Sequence, residues 1–229
     1  MNLYVEHDAA RLAAFTGTDQ PACDALIVRL GQPDDVLAAM VGGNPLDGTW
    51  LWDLDLPSQR VMAWSGTLGE ELFEPNPRTW MAPGRDALDA FCDQVSGQLT
   101  THGRVLCLRP HSRHVLSDIQ TTLTFALERQ DEPFEFALDP VALLEPSMLD
   151  TVDDHLTRII DTLGGRCAML LLRDARVSDD GESIESVPLG EGVLPRDLVR
   201  TLIDACVPDD TPVVITPERL DEQRDWLTG

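Results

Sequence analysis

Several charged side chains stand where an apolar run of strand length ends. Arg109 closes one such run, Asp139 follows the next, and Arg173 and Asp174 together follow a third. A strand that crosses a core and ends on a polar residue brings that residue to the edge of the core, where a ligand can reach it. Carboxylates at such an edge can hold a metal ion or move protons, and guanidinium groups bind carboxylates or phosphates. We therefore take these four residues as candidate ligand-binding groups.

Further candidates lie at the ends of other apolar runs. Arg29 ends an early run, His111 lies two residues after Arg109, and Glu218 follows the last run. Glu218 and His111 are candidate acid or base groups. If Arg29, Arg109 and Arg173 lie at one rim, they form a positive pocket for an anionic sugar or a small acid. The alternative is that the arginines pair with carboxylates of the chain, which would remove that pocket.

The charge balance narrows the range of partners. The formal net charge is −23, and all 17 basic residues are arginine. A Schiff base on lysine is excluded because the chain has no lysine. Nucleic acid is not expected as a partner, since neutralising phosphates with a basic face dominates that kind of binding. We interpret the acidity as favouring solubility, and we expect a small-molecule ligand.

Hydropathy and cysteine spacing bear on the cellular compartment. No apolar run approaches the ~20 residues that span a bilayer, and the N-terminus lacks a basic segment followed by an apolar one. We therefore expect no membrane partner and a cytoplasmic location. Five cysteines stand at positions 23, 92, 107, 167 and 206 without a C-x-x-C pair. This spacing is typical of buried free thiols in a reducing compartment.

The candidate residues must be positioned by strands and helices that alternate along the chain. We predict strands at 3–5, 25–28, 50–52, 61–64, 105–108, 134–138, 167–172 and 212–215. Alternation of strands with helices indicates parallel pairing, and eight units fit a compact (β/α)8 TIM barrel of the α/β class. The barrel is predicted to cover residues 1–229 as one domain. An open doubly wound sheet is the alternative, but no G-x-G-x-x-G follows the first strand.

Two connections of this barrel carry specific predictions. Between the predicted third and fourth strands we find only the short segment 55–59, which has too few residues for a helix. The helix after strand 3 is therefore predicted to be shortened or missing. After strand 2, the Pro33-Asp34-Asp35 run predicts the start of a helix. In a TIM barrel, ligands bind at the mouth formed by the C-terminal ends of the strands. We therefore expect the candidate residues to meet there.

Four short runs follow one another between Val105 and Glu218: Leu108-Arg109-Pro110-His111, Leu138-Asp139-Pro140, Leu171-Leu172-Arg173-Asp174 and Leu189-Gly190-Glu191-Gly192. In their order and spacing, this stretch resembles the xylose-isomerase-like barrel family of sugar isomerases and epimerases, to which the endonuclease IV-type barrels also belong. The resemblance implies one divalent ion, Mn or Mg, held by a glutamate, an aspartate, a histidine and a glutamate from strands five to eight. The two glutamates would then transfer a proton at a sugar carbon.

Position by position, the sequence departs from that metal site. Arg109 stands in place of the first glutamate, Leu171 in place of the histidine and Thr216 in place of the last glutamate, while Asp139 remains. A permanently charged guanidinium disfavours a cation at the same place. We therefore expect a divergent barrel of this type without its metal site and without a cofactor, in which Asp139 is a metal ligand only if a metal is bound. The alternative is an active Mn- or Mg-dependent isomerase in which a nearby residue such as Glu218 supplies a missing ligand.

Overall fold

The computed structural model describes residues 2–19, 22–50 and 56–229, and eight of its strands form a closed barrel. The strands are β1 (Asn2–Asp8), β2 (Ala25–Arg29), β3 (Gln32–Met40), β4 (Arg60–Trp64), β5 (Val105–Arg109), β6 (Phe134–Leu138), β7 (Met169–Leu171), β8 (Asp174–Val177), β9 (Ile184–Val187) and β10 (Pro212–Ile215). The order around the barrel is β1, β10, β7, β6, β5, β4, β3, β2 and back to β1. Strands β8 and β9 form a separate antiparallel hairpin. The predicted α/β barrel is thus confirmed.

One barrel strand, β2, runs opposite to the other seven. It is antiparallel to both β1 and β3, whereas the other neighbouring pairs are parallel. The turn between β2 and β3 contains Gly31 at φ 76°, a left-handed conformation that glycine adopts without strain. The prediction that a helix starts at Pro33 is wrong, because Pro33 lies in β3. Its proline–aspartate run imitates a helix start, but the buried residues 38–40 further along complete the barrel wall.

The third barrel strand is β3 and not the predicted strand at 50–52. Trp50 lies in a loop, where its indole Nε1 donates a hydrogen bond to the carbonyl of Gly42 at 2.6 Å. Leu51 and Trp52 fall outside the described residues. Residues 41–50 and 56–59 contain no helix. The described part of this connection therefore lacks a helix, as expected from the prediction that the helix after strand 3 is shortened or missing.

Helices pack on the outer face of the barrel wall. The described ranges contain α1 (Ala9–Thr16), α2 (Ala82–Thr101), α3 (Ile119–Glu128), α4 (Val152–Leu163), α5 (Arg196–Cys206) and α6 (Leu220–Thr228). Leu88 and Leu99 of α2 join Leu106 of β5 in one buried cluster, which shows how the amphipathic helix is held. None of these helices is long and apolar enough to cross a membrane.

The barrel interior is filled in layers, because side chains alternate in direction along each strand. A buried apolar cluster has members from all eight barrel strands, among them Ile27, Met62, Cys107, Ala137, Leu171 and Val214. Two positions further along a parallel strand, the next inward side chain lies nearer the mouth. At this level four strands supply a charged residue: Glu6, Arg109, Asp139 and Arg173. The fold thus gathers four separate strand ends into one charged layer.

Candidate binding site at the barrel mouth

The four charged residues of this layer form a closed ring of alternating charge. Arg109 Nη2 donates a hydrogen bond to Asp139 Oδ2, and Arg173 Nη2 donates to Glu6 Oε2. Two longer ion pairs complete the circle, with Arg109 Nη1 at 3.6 Å from Glu6 Oε1 and Arg173 Nη1 at 3.7 Å from Asp139 Oδ2. We call these four residues the mouth ring. It carries no net charge, since two guanidinium groups face two carboxylates.

Two members of the mouth ring are fully buried and two are within reach of solvent. The side chains of Arg109 and Asp139 are 2% and 1% exposed, whereas those of Arg173 and Glu6 are 17% and 13% exposed. Burial disfavours an unpaired charge strongly, and alternating pairs offset that cost. A ligand entering the mouth would therefore meet Arg173 and Glu6 first.

Burial and opposite charges compete in the titration of the mouth ring. Burial opposes ionisation of Asp139, but the charges of Arg109 and Arg173 outweigh it and lower its pKa. Burial and the neighbouring Arg173 lower the pKa of Arg109 despite its carboxylate partners. Burial also opposes the charge of Arg173, but Glu6 and Asp139 raise its pKa. The two arginines differ because Arg109 lies deeper.

An aromatic cluster supports the ring on one side. The Arg109 guanidinium lies 4.2 Å from the centre of the Trp64 ring, and its Nε has no hydrogen-bond partner among the described residues. Phe73, His111 and His114 surround Trp64 with ring centres 5.2, 5.6 and 5.5 Å away. A cation over an indole face is an attractive arrangement. Because Arg109 covers that face of Trp64, a sugar cannot stack there.

Both histidines of the cluster are neutral at physiological pH. Burial lowers the pKa of His111 to about 4 and that of His114 to about 3. His114 Nε2 donates to the carbonyl of Leu72 at 2.8 Å, while its Nδ1 has no hydrogen-bond partner in the part of the chain that the structure describes. His111 Nδ1 accepts from the backbone N–H of Arg113 at 3.1 Å. The aromatic cluster therefore adds no charge to the mouth.

The residues of the mouth do not fit a divalent metal ion. In the described ranges, no three His, Cys, Asp or Glu side chains come together as a possible metal site. Glu6 and Asp139 are the carboxylates of the mouth ring, and both are already paired with guanidinium groups. The Arg109 charge lies between them, so a second cation there would be repelled.

Arg29 does not belong to the mouth, which corrects a sequence-based prediction. Because β2 runs in the reverse direction, its last residue lies at the opposite end of the barrel, beside Tyr4. The Arg29 guanidinium lies 4.9 Å from the Tyr4 ring centre and donates to Asp35. The positive pocket of three arginines is therefore wrong: one arginine is elsewhere, and Arg109 and Arg173 are paired with carboxylates.

Asp174 is buried, and its carboxylate is hydrogen-bonded to backbone N–H groups. Its carboxylate accepts hydrogen bonds from the N–H groups of Ala175 at 2.8 Å, Gly190 at 3.0 Å and Leu194 at 2.8 Å. These bonds tie the loop after β9 to the base of the β8–β9 hairpin. Asp174 is only 1% exposed, so the geometry gives it a structural role and does not support the predicted ligand-binding role.

Arg173 divides the mouth into two compartments. The aromatic compartment, of about 330 Å³, is lined by Trp64, Phe73, His111, Val141, Leu144, Ile184 and the three ring members Arg109, Asp139 and Arg173, among others. The polar compartment, of about 530 Å³, is lined by Glu6, His7, Asp24, Arg173, Thr216 and Glu218, among others. Both volumes are in the range of small-molecule sites. The two compartments meet at Arg173.

The predicted acid and base candidates fall on different sides of this division. Glu218 lines the polar compartment, and His111 lines the aromatic one. They do not form a pair. His7 lies in the polar compartment with Glu218, and burial lowers the pKa of His7 although the Glu218 charge raises it. A largely neutral His7 can accept a proton at physiological pH.

Three functional features were not among the sequence-based site residues. Glu6 bridges both arginines of the mouth ring, and its position two residues after the buried Tyr4 is a signal that strand alternation provides. Phe73 and Ile184 line the aromatic compartment from a loop and from the β8–β9 hairpin. Phe73 lies in a loop, which carries no periodicity, and Ile184 begins a four-residue strand outside the barrel, which is too short for a clear pattern.

Comparison with known proteins agrees with the barrel architecture. No protein family and no curated protein matches the sequence. The chain is similar to the crystal structure of D-psicose 3-epimerase in the presence of D-fructose, with a TM-score of 0.55, 13% identity, and 92% of this chain and 70% of that one covered. It is similar to 3-keto-D-glucoside 4-epimerase from E. coli, with a TM-score of 0.51, 15% identity and coverage of 94% and 81%.

A third similar structure is IOLI protein with a binding zinc atom, with a TM-score of 0.50, 13% identity and coverage of 96% and 79%. Identities this low establish the architecture and not the reaction. The chain therefore has the TIM-barrel fold of these proteins, the fold that its resemblance to the xylose-isomerase-like barrels implied.

Proposed function

We propose that this chain is a barrel of the sugar isomerase and epimerase type that binds a neutral, hydroxyl-rich small molecule at its mouth without a divalent metal. The observation that carries the proposal is the mouth ring, in which the Arg109 guanidinium lies between Glu6 and Asp139. The cation of the site is then a side chain of the protein itself. The similar epimerases support a sugar as the class of ligand.

The charge balance of the mouth favours a neutral ligand over an anionic one. Each guanidinium of the mouth ring already faces a carboxylate, so no positive charge is in excess. Paired guanidinium and carboxylate groups offer hydrogen-bond donors and acceptors side by side. A sugar hydroxyl needs both, because it donates one hydrogen bond and accepts others. Arg173 and Glu6, as the more exposed members, are the groups that would contact such a ligand.

The polar compartment supplies the groups for any proton transfer. His7, Glu218 and Arg173 all line it. In this proposal Arg173 donates to a carbonyl or hydroxyl oxygen of the ligand, and His7 or Glu218 accepts a proton from the neighbouring carbon or oxygen. Binding is the primary claim, and turnover is a consequence that depends on those two residues.

Binding and metal dependence can be measured together. Ligand-observed NMR of the EDTA-treated protein against neutral aldoses, neutral ketoses, sugar phosphates and sugar acids should show binding of a neutral sugar. Arg173→Gln should weaken that binding by about 10- to 100-fold, since a hydrogen bond to a charged group contributes roughly 1.5–3 kcal/mol. Arg60→Gln is the matched control, because Arg60 pairs with Glu135 at the other end of the barrel.

The outcome distinguishes the proposal from a metal-dependent isomerase. Sugar binding or thermal stabilisation that requires Mn²⁺ or Mg²⁺ in the unmodified protein would contradict the proposal and support the alternative. Binding of anions alone would contradict the neutral-ligand claim. Replacement of the internal cation gives a converse test: Arg109→Glu should confer a Mn²⁺-dependent rise in the melting temperature, and Arg60→Glu should not.

A further inference from the structure

The two compartments of the mouth differ in chemistry, although both border the mouth ring. The polar compartment presents Glu6, His7, Asp24, Thr216 and Glu218, which are hydrogen-bonding side chains. The aromatic compartment is lined by aromatic and aliphatic side chains together with polar ones, among them Ser112, Arg113, Glu145, Ser183 and Ser186. Arg173 contributes to both compartments. A ligand that spans the mouth therefore meets hydrogen-bonding side chains on one side and a mixed surface with an apolar part on the other.

Apolar side chains line part of the aromatic compartment. Val141 and Leu144 contribute to this lining and are each 3% exposed, and Ile184 of the β8–β9 hairpin also contributes. Phe73 lines the same compartment and is 40% exposed, so a large aromatic surface is open to a ligand there. An apolar surface left open at a cavity is typical of a ligand-binding site.

Phe73 is held in a fixed orientation before any ligand arrives. Its ring stacks on His114 with centres 5.2 Å apart and meets Trp64 edge-on at 5.2 Å. The Arg113 Nη1 donates to the Phe73 carbonyl at 3.1 Å, and His114 Nε2 donates to the carbonyl of Leu72. A preorganised aromatic wall loses little side-chain entropy on binding. The volume of about 330 Å³ exceeds the roughly 150 Å³ of an apolar cavity that accepts benzene.

We propose that the ligand of the mouth is a glycoside, with its sugar in the polar compartment and an aromatic or alkyl aglycone in the aromatic compartment, in contact with Phe73 and Ile184. The inference rests on the proposed function and specifies its ligand class further. A free sugar would fill the polar compartment and leave the apolar side chains exposed. An apolar aglycone covers those side chains and removes their surface from water.

The test uses probe sets that differ only in the aglycone. Free sugars, methyl glycosides and phenyl glycosides of glucose, galactose, mannose and xylose are compared by isothermal titration calorimetry, together with phenol alone. The phenyl glycoside of the sugar that binds should have an affinity about 10- to 100-fold above that of its methyl glycoside, the range expected for burying a phenyl ring. Phe73→Ala and Ile184→Thr should each lower this phenyl-to-methyl ratio towards one.

Controls separate a local effect from a loss of folding. Phe15→Ala is the matched control, because Phe15 is 87% exposed on α1 and lines neither compartment, and it should keep the full ratio. Circular dichroism and thermal unfolding verify that each variant is folded, and Ile184→Thr provides a second probe if Phe73→Ala is unstable.

Each outcome bears on a different claim. Binding of a sugar with a phenyl-to-methyl ratio near one overturns the glycoside inference and leaves the proposed function intact. Binding of phenol alone, without any sugar or glycoside, overturns the inference because the aromatic compartment then has another ligand. Absence of binding by every probe contradicts both the proposed function and the inference.

Discussion

The substitution Arg109→Met tests whether the mouth ring is as buried and as tightly paired as the structure shows. Methionine keeps much of the apolar length of the arginine side chain and removes its charge. Asp139, 1% exposed, then loses its closest partner and retains Arg173, whose Nη1 lies 3.7 Å away, and a hydrogen bond from the Ala142 N–H at 3.3 Å. A buried carboxylate with a weakened ion pair destabilises the fold, and breaking a buried ion pair lowers the free energy of unfolding by about 3–5 kcal/mol.

The remaining Arg173 contact places the expected cost near the lower end of that range, at about 3 kcal/mol. For a chain of this length, this corresponds to a fall in melting temperature of about 6–12 °C. The matched substitution Arg60→Met breaks the more exposed pair with Glu135 and should cost about 1 kcal/mol or less. Combining Arg109→Met with Asp139→Leu should recover most of the loss, because no buried charge is then left unpaired.

Urea unfolding at several pH values measures these free energies of unfolding. In the unmodified protein the pKa of Asp139 is lowered, so its contribution to stability is present above the unfolded pKa of about 3.9 and is lost as the pH falls through the folded pKa. Without Arg109, burial raises that pKa, the carboxyl takes up a proton in the folded state, and the difference from the unmodified protein shrinks in acid. Equal costs for Arg109→Met and Arg60→Met at neutral pH would refute the reasoning.

Three further predictions concern the loops and the aromatic cluster. Asp174→Ala should cost about 2–4 kcal/mol in urea unfolding and speed amide hydrogen exchange at Gly190, because buried N–H groups lose their acceptor. Gly192→Ala should destabilise the chain, since a Cβ there would lie 2.3 Å from the Ala175 carbonyl oxygen. Gly97→Ala on an open face of α2 should stabilise the chain by up to about 1 kcal/mol in the same assay, because alanine has the higher helix propensity. The pKa of His114 is lowered to about 3, so NMR should show no titration of its ring above pH 5. The stability that its neutral form contributes should be present above pH 6.5 and should fall as the pH drops towards its folded pKa. A ring that titrates near 6.5 would show that it is not buried.

The sequence predicts most of the barrel strands and misses the third. Strands β2, β4, β5, β6 and β10 follow regular apolar patterns, so their positions agree with the predictions. The β2–β3 hairpin is different, because Pro33-Asp34-Asp35 has the local signature of a helix start. Its strand conformation is decided by the pairing with β2 and β4, which no local pattern contains.

The candidate site shows the same division. Arg109, Asp139 and Arg173 were predictable because each ends a parallel strand, and their mutual pairing was one of the two alternatives that the sequence allowed. Arg29 was misplaced because strand direction cannot be read from a single apolar run. Asp174 follows the same apolar run as Arg173, but the alternation of side-chain direction turns it away from the barrel axis and towards the amides of a distant loop.

The closing seam of the barrel links assembly of the site to the order of synthesis. Strand β10 pairs on one side with β1, where Leu3 lies opposite Val213, and on the other with β7. Glu6 on β1 and Arg173 after β7 are therefore held together across a strand that is synthesised after the other seven barrel strands. We expect a nascent chain to remain an open sheet until β10 leaves the ribosome, with long-range closure as the slow step. Protease resistance of stalled nascent chains should rise sharply only once Pro212–Ile215 has emerged, and an earlier rise would show that the barrel closes by another route.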